Sequence, residues 1–170
     1  MRHLMFCGLA IGTIAMAGHA FAEASAPKLV STHNNWAVYS FTDSQGKTCY
    51  AATEPSKQEG NYSKRSNPAL LVTRFPTSPP KEEVSVQPGY AYKDDSKAPL
   101  TVDGRSWQLF TKGEHAWATS DKEDKAIIDA MKRGSTLVAK GSSSKGTSST
   151  DTYSLKGFTA AYNAMVADDR

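Results

Sequence analysis

Cysteine is nearly missing from this chain of 170 residues, with only Cys7 and Cys49 present. That excludes a disulfide-stapled scaffold. Histidine is scarce as well, and none of His3, His19, His33 and His115 forms an H-x-x-x-H pair, just as no C-x-x-C exists. The usual zinc spacings are therefore lacking, and no metal or other cofactor is expected. Neither sign of charge dominates: 20 Lys+Arg stand against 17 Asp+Glu, a net of +3. So slight an excess, without a basic stripe, points away from a nucleic-acid partner. No heptad, G-X-Y period or internal repeat runs through the sequence, which excludes coiled coil, collagen and solenoid. Wholesale disorder is excluded by an apolar fraction of 39%. The length fits one domain with a short appendage.

Long apolar runs are absent with one exception, at the N-terminus. Met1-Arg2-His3 is a short basic start, and Leu4 to Gly18 is mostly apolar and uncharged. Ala20-Phe21-Ala22 is an A-x-A-like cleavage site, so residues 1–22 read as a signal peptide removed before Glu23. A retained membrane helix needs about 20 apolar residues to cross a core of about 30 Å. His19 and the polar run from Glu23 cut this one short. The mature protein is thus expected to be exported, with no transmembrane span. It keeps 148 residues, 19 of them basic and 17 acidic, and Cys49 as its single thiol. That thiol is either buried as a small hydrophobe, reactive at the surface, or bridged to another molecule. Residues 23–35 are small and polar and read as a flexible arm; residues 36–167 form the domain.

Strand signals then follow one another. Trp36–Phe41 and Thr48–Ala52 flank the turn residues Asp43–Gly46, a first hairpin. Glu54–Pro68 is polar, with Pro55, Gly60 and Pro68, and reads as a loop. Ala69–Phe75 is the next strand. Val84, Val86, Tyr90 and Tyr92 share one face of another, bent at Pro88-Gly89. Asp103-Gly104 joins Leu100–Val102 to Ser106–Thr111, because a type I′ turn needs positive φ at both central residues. His115–Thr119 adds a strand, and Thr136–Lys140 and Asp151–Leu155 pair across a Ser/Gly/Thr-rich connection, Gly141–Thr150.

The period changes twice. Ser120-Asp-Lys-Glu123 is a capping box, and Ile127, Ala130 and Met131 follow at helical spacing before Lys132, Arg133 and Gly134. Phe158, Ala161, Tyr162, Met165 and Val166 line one face of a C-terminal helix. Asp168-Asp169 oppose its dipole, so its last turn should fray. The sum is a mainly β fold: an antiparallel sandwich or barrel of about eight strands with one short internal helix and a C-terminal helix.

Catalytic patterns are weak. No G-x-S-x-G elbow exists, and in Gly141-Ser-Ser-Ser-Lys145-Gly146-Thr147 the lysine precedes the second glycine, unlike a phosphate loop. Cys49 with His115 offers a nucleophile pair, and a Ser-His-Asp site stays open because its members can lie far apart in sequence. Trp36, Trp107, Trp117, Tyr90 and Tyr92 read as core or as a binding platform. Lys140 and Lys145, with the backbone N–H groups and hydroxyls between them, can hold an anionic group.

Several segments together resemble the invasion-associated locus B family of exported alphaproteobacterial proteins. They are Trp36-Ala-Val-Tyr39, Cys49-Tyr50-Ala51, Glu83-Val-Ser-Val86 with Gly89-Tyr90, Ala116-Trp117, Val138–Thr147 and Asp151–Phe158. The resemblance implies a β-rich periplasmic or outer-membrane-associated protein, linked to virulence and host-cell invasion, with no catalytic residues and no cofactor. It also implies a second cysteine near the C-terminus able to pair with Cys49, which this chain lacks. The expected function is non-enzymatic interaction with a protein or cell-surface partner, including peripheral outer-membrane association. The candidate contact residues are Lys140, Ser142, Ser143, Lys145, Thr147, Asp151 and Tyr153. An envelope-maintenance or chaperone-like component and a periplasmic hydrolase are the alternatives.

Overall fold

A computed structural model describes residues 25–169; the signal-peptide reading concerns residues 1–22 and lies outside them. Eleven strands form one sheet: β1 (Lys28–His33), β2 (Trp36–Asp43), β3 (Gly46–Thr53), β4 (Lys57–Gly60), β5 (Ala69–Phe75), β6 (Lys81–Gln87), β7 (Lys97–Val102), β8 (Arg105–Lys112), β9 (His115–Trp117), β10 (Thr136–Ser142) and β11 (Ser148–Ser154). Helix α1 (Asp121–Arg133) follows β9, and α2 (Phe158–Asp168) ends the chain. The strand order is β1-β2-β3-β5-β6-β9-β8-β7-β10-β11-β4, antiparallel throughout.

Three residues link β3 to β4, yet these strands lie far apart in the sheet order. The sheet therefore bends back on itself. Across the bend, Trp36 of β2 donates its indole N–H to the carbonyl of Ser154 in β11 at 3.0 Å. Alternation places Trp36, Val38, Cys49, Leu70 and Val72 inside the curl, beside Leu100, Leu137 and Tyr153 from the other half, all buried. Both helices sit inside it too. Ile127 and Met131 of α1 and Phe158 and Met165 of α2 are fully buried, and the rings of Phe158 and Trp36 lie 4.8 Å apart. Each such side chain contributes roughly 1.5–3 kcal/mol of burial.

The local signals act where they stand. Asp103 and Gly104 have φ of 41° and 91°, as a type I′ turn requires. The Asp103 carboxylate also accepts from the N–H groups of Ser135 and Thr136, at 2.7 and 3.1 Å. Ser120 Oγ accepts from Glu123 N–H at 3.3 Å, while Glu123 reaches past Ser120 to the N–H of Thr119 at 2.9 Å. Gly134 stops α1 by packing, not by a left-handed turn: its φ is −89°, and a Cβ there would lie 2.7 Å from Val102 Cγ1.

Several expectations need correction. The sheet has eleven strands, not about eight, and it is open, since β1 and β4 each pair on one side only. The two unforeseen strands are these edges, whose mostly exposed side chains carry little hydrophobic pattern. β1 occupies the segment expected as a flexible arm, and β4 the segment expected as a loop. The Gly141–Thr150 connection is mostly ladder, paired through Ser142↔Ser148, so the turn is only residues 143–147. β6 stops at Gln87, and Gly89, at φ 78°, turns Tyr90 and Tyr92 away. The last turn of α2 is held by ion pairs rather than frayed: Lys47 to Asp168 at 2.9 Å and Arg74 to Asp169 at 2.7 Å.

Candidate functional site

The turn between β10 and β11 is shaped by its own serine. Ser143 N–H donates to the Thr147 carbonyl at 2.8 Å, and Ser143 Oγ accepts from Thr147 N–H at 3.1 Å. Segment 91–93 braces the turn from the side: Lys93 N–H donates to Ser142 O and Ser144 N–H to Ala91 O. Opposite it lies the loop between β4 and β5, tied to the end of β6 where Ser66 N–H donates to Gly89 O at 2.8 Å. Gly89 is required there, because a Cβ would lie 2.1 Å from the Ser66 carbonyl oxygen.

Between turn and loop is a depression of about 370 Å³, and a second of about 750 Å³ adjoins it behind Tyr62, Ser63 and Lys64. The first has Lys64 and Lys145 on its walls, with Ser143, Ser144, Thr147 and Tyr90. Among the described residues, no carboxylate lines either depression. The cleft is therefore basic and rich in hydroxyl groups.

Beneath it is a buried ion pair. The Arg65 guanidinium meets Asp151 at 2.5 Å, and their side chains are 3% and 2% exposed. Arg65 also donates to Tyr62 Oη at 2.9 Å and lies over the Tyr62 ring, 4.7 Å from its centroid. Burial disfavours the charged guanidinium, but the hydrogen bond and charge of Asp151 outweigh it and raise the pKa of Arg65. Tyr90 Oη pairs with Ser149 Oγ at 2.7 Å. Among the described residues, three buried side-chain polar atoms have no partner: Arg65 Nε, Asp151 Oδ1 and Tyr153 Oη. Burial raises the pKa of the Tyr92 and Tyr153 phenols strongly, which keeps them protonated.

The sequence candidates thus divide by layer. Lys145, Ser143 and Thr147 line the cleft. Lys140 and Ser142 alternate onto the outside of β10, with Lys140 exposed. Asp151 and Tyr153 point into the curl and are buried, so they support the cleft from below rather than face a partner. Tyr62 was missed, and Lys64 and Arg65 read as part of a solvated loop rather than as a site. Their loop is diluted by Glu54 and Glu59, and only the β4–β11 pairing brings it beside the turn.

The remaining candidates separate. Cys49 is fully buried, its Sγ 3.6 Å from Asp168 Oδ2, and burial followed by the Asp168 charge pushes its thiol up to about 11. That is an inert thiol, and among the described residues it has no disulfide partner. His115 lies three strands along in the sheet order and, flanking the inward Ala116, faces the opposite side from Cys49, so the two form no nucleophile pair. No group of His, Cys, Asp and Glu among the described residues is arranged to hold a metal. Trp36 and Tyr92 are core. Trp117 stacks with His115 and with Phe110, at 5.3 and 5.4 Å.

Fold and cleft together define a class: a curled, open antiparallel sheet holding two helices, with a basic cleft at one rim. The model of the invasion associated locus B (IalB) protein family matches residues 36–166, and the chain belongs to that family. In the solved structures, invasion associated protein B from Bartonella henselae has a similar fold. Its TM-score is 0.56 and its identity 16%, covering 84% of this chain and 97% of that one. Comparison with curated protein sequences finds no match. No helix among the described residues is long and apolar enough to cross a membrane.

Proposed function

We infer that this protein is an exported, non-enzymatic envelope protein that mediates contacts with a protein or cell-surface partner linked to host-cell invasion. Family membership supports the setting. The observation that carries the reading is the cleft: Lys64 and Lys145 converge on one depression with hydroxyl groups around them and no carboxylate. Such a lining favours an anionic group on the partner. The buried Arg65–Asp151 pair beneath fixes the loop that carries Lys64.

Two measurements test this. Protease added to intact cells of the source organism removes the protein while a periplasmic control survives; survival of both overturns a cell-surface role. The variant with Ala at Lys64, Lys140 and Lys145 loses most of its binding to host cells while its melting curve is unchanged. Undiminished binding by that variant removes the cleft from the interaction.

A further inference from the structure

The outer face of the sheet, the side turned away from both helices, carries an unusual set of side chains. Because Val38, Cys49, Val72 and Val84 point inward, their neighbours point out. The register aligns these into rows. One row crosses the sheet as Tyr39, Tyr50, Thr73 and Glu83. The next, two residues along each strand, runs Phe41, Thr48, Phe75 and Lys81. Tyr39 and Tyr50 stack at 5.2 Å. Phe41, Thr48 and Phe75 line a depression of about 460 Å³. Further along the same face are Leu71, Trp117 and the exposed Phe110. No helix among the described residues covers this face, and an uncovered apolar sheet face ordinarily marks an interaction surface.

We propose that this face is where a second copy of the chain binds. The two sheets pack outer face to outer face about a two-fold axis that lies across the strands, level with Glu82. That operation reverses position along each strand and keeps each strand over its equivalent. The row ending in Glu83 then meets the partner's row ending in Lys81, and the reverse contact repeats it, as an isologous interface requires. Tyr39 falls on the partner's Phe41, Tyr50 on the partner's Thr48 and Thr73 on the partner's Phe75, and each Lys81 meets a Glu83. Side chains from two such faces fill the space of about 10 Å between packed sheets.

Charge selects this occupant over a lipid surface. A face that docks on anionic lipid carries a cationic rim. Here Lys81 lies 3.9 Å from Glu83 and 3.7 Å from Asp121, and Asp43 lines the aromatic depression. Lys81 and Glu83, adjacent and opposite in charge at the end of the aromatic rows, match their own two-fold image. The two aromatic rows reach about 14 Å across the four strands they share, a footprint smaller than that of a standard interface, which places the dimer among the weak, transient ones.

Sedimentation equilibrium of the mature chain, over about one to about a hundred micromolar, tests the proposal. The expected result is a monomer–dimer equilibrium. Lys81→Glu and Glu83→Lys each weaken it at least tenfold, and the double swap restores it. Tyr39→Ser with Tyr50→Ser abolishes it while the far-ultraviolet circular dichroism is unchanged. A monomer at every concentration overturns the proposal, as do single swaps without effect. Binding of that monomer to anionic vesicles, lost with Tyr39→Ser, assigns the face to lipid instead and also overturns it. The cleft residues Lys64 and Lys145 stay native throughout.

Discussion

Arg65 and Asp151 are a charge pair taken almost wholly out of water. Removing one partner strands the other, a loss of about 3–5 kcal/mol, whereas replacing both with apolar residues is close to neutral. Asp151→Asn is therefore expected to lower the urea midpoint severely, and Arg65→Met with Asp151→Leu to recover most of it. Asp124 behaves oppositely. Burial raises its carboxyl to about 6, although Oδ1 accepts from Val84 N–H at 2.7 Å. A carboxyl raised in the folded state contributes stability that is complete below its unfolded pKa and lost as pH rises through the folded one. Native stability should thus fall by about 3 kcal/mol between roughly pH 4 and pH 7 on this account. Asp124→Asn, which keeps the acceptor and removes the charge, should flatten that slope in urea melts taken across the range.

Helix α2 shows how an element unfavoured by its own sequence is held by its surroundings. Asp168 and Asp169 stand at the negative end of its dipole, where acidic residues destabilise. Lys47 and Arg74 reach them from β3 and β5. Arg74 also meets Glu82 at 2.7 Å, and Tyr162 donates to the same Glu82 oxygen. Arg74→Ala removes both partners at a mostly buried position and should cost about 1–3 kcal/mol. Hydrogen exchange should quicken first in the last turn of α2; uniform exchange across the helix would refute the tether. The fraying expectation was sound local physics, and it failed because the countercharges are about a hundred residues away in sequence.

At the scale of the molecule, legibility follows the same division. The Asp103-Gly104 turn, the Ser120 cap and the apolar faces of both helices were readable, since each depends on neighbours within a few residues. Edge strands β1 and β4 were not, because what holds them is backbone pairing to distant strands rather than side-chain pattern. The cleft was half legible for the same reason. Its turn residues stood out by composition, but the loop facing them arrives only through the β4–β11 ladder. That ladder sets an order of events during folding. β4 is made early, yet Ser56 finds its partner, the Thr152 carbonyl, 96 residues later. Until then the sheet cannot bend closed, and loop closure of that span makes the final step slow. The cleft, whose loop hangs on β4, is accordingly the last part of the molecule to exist, and a chain arrested before β11 never displays it.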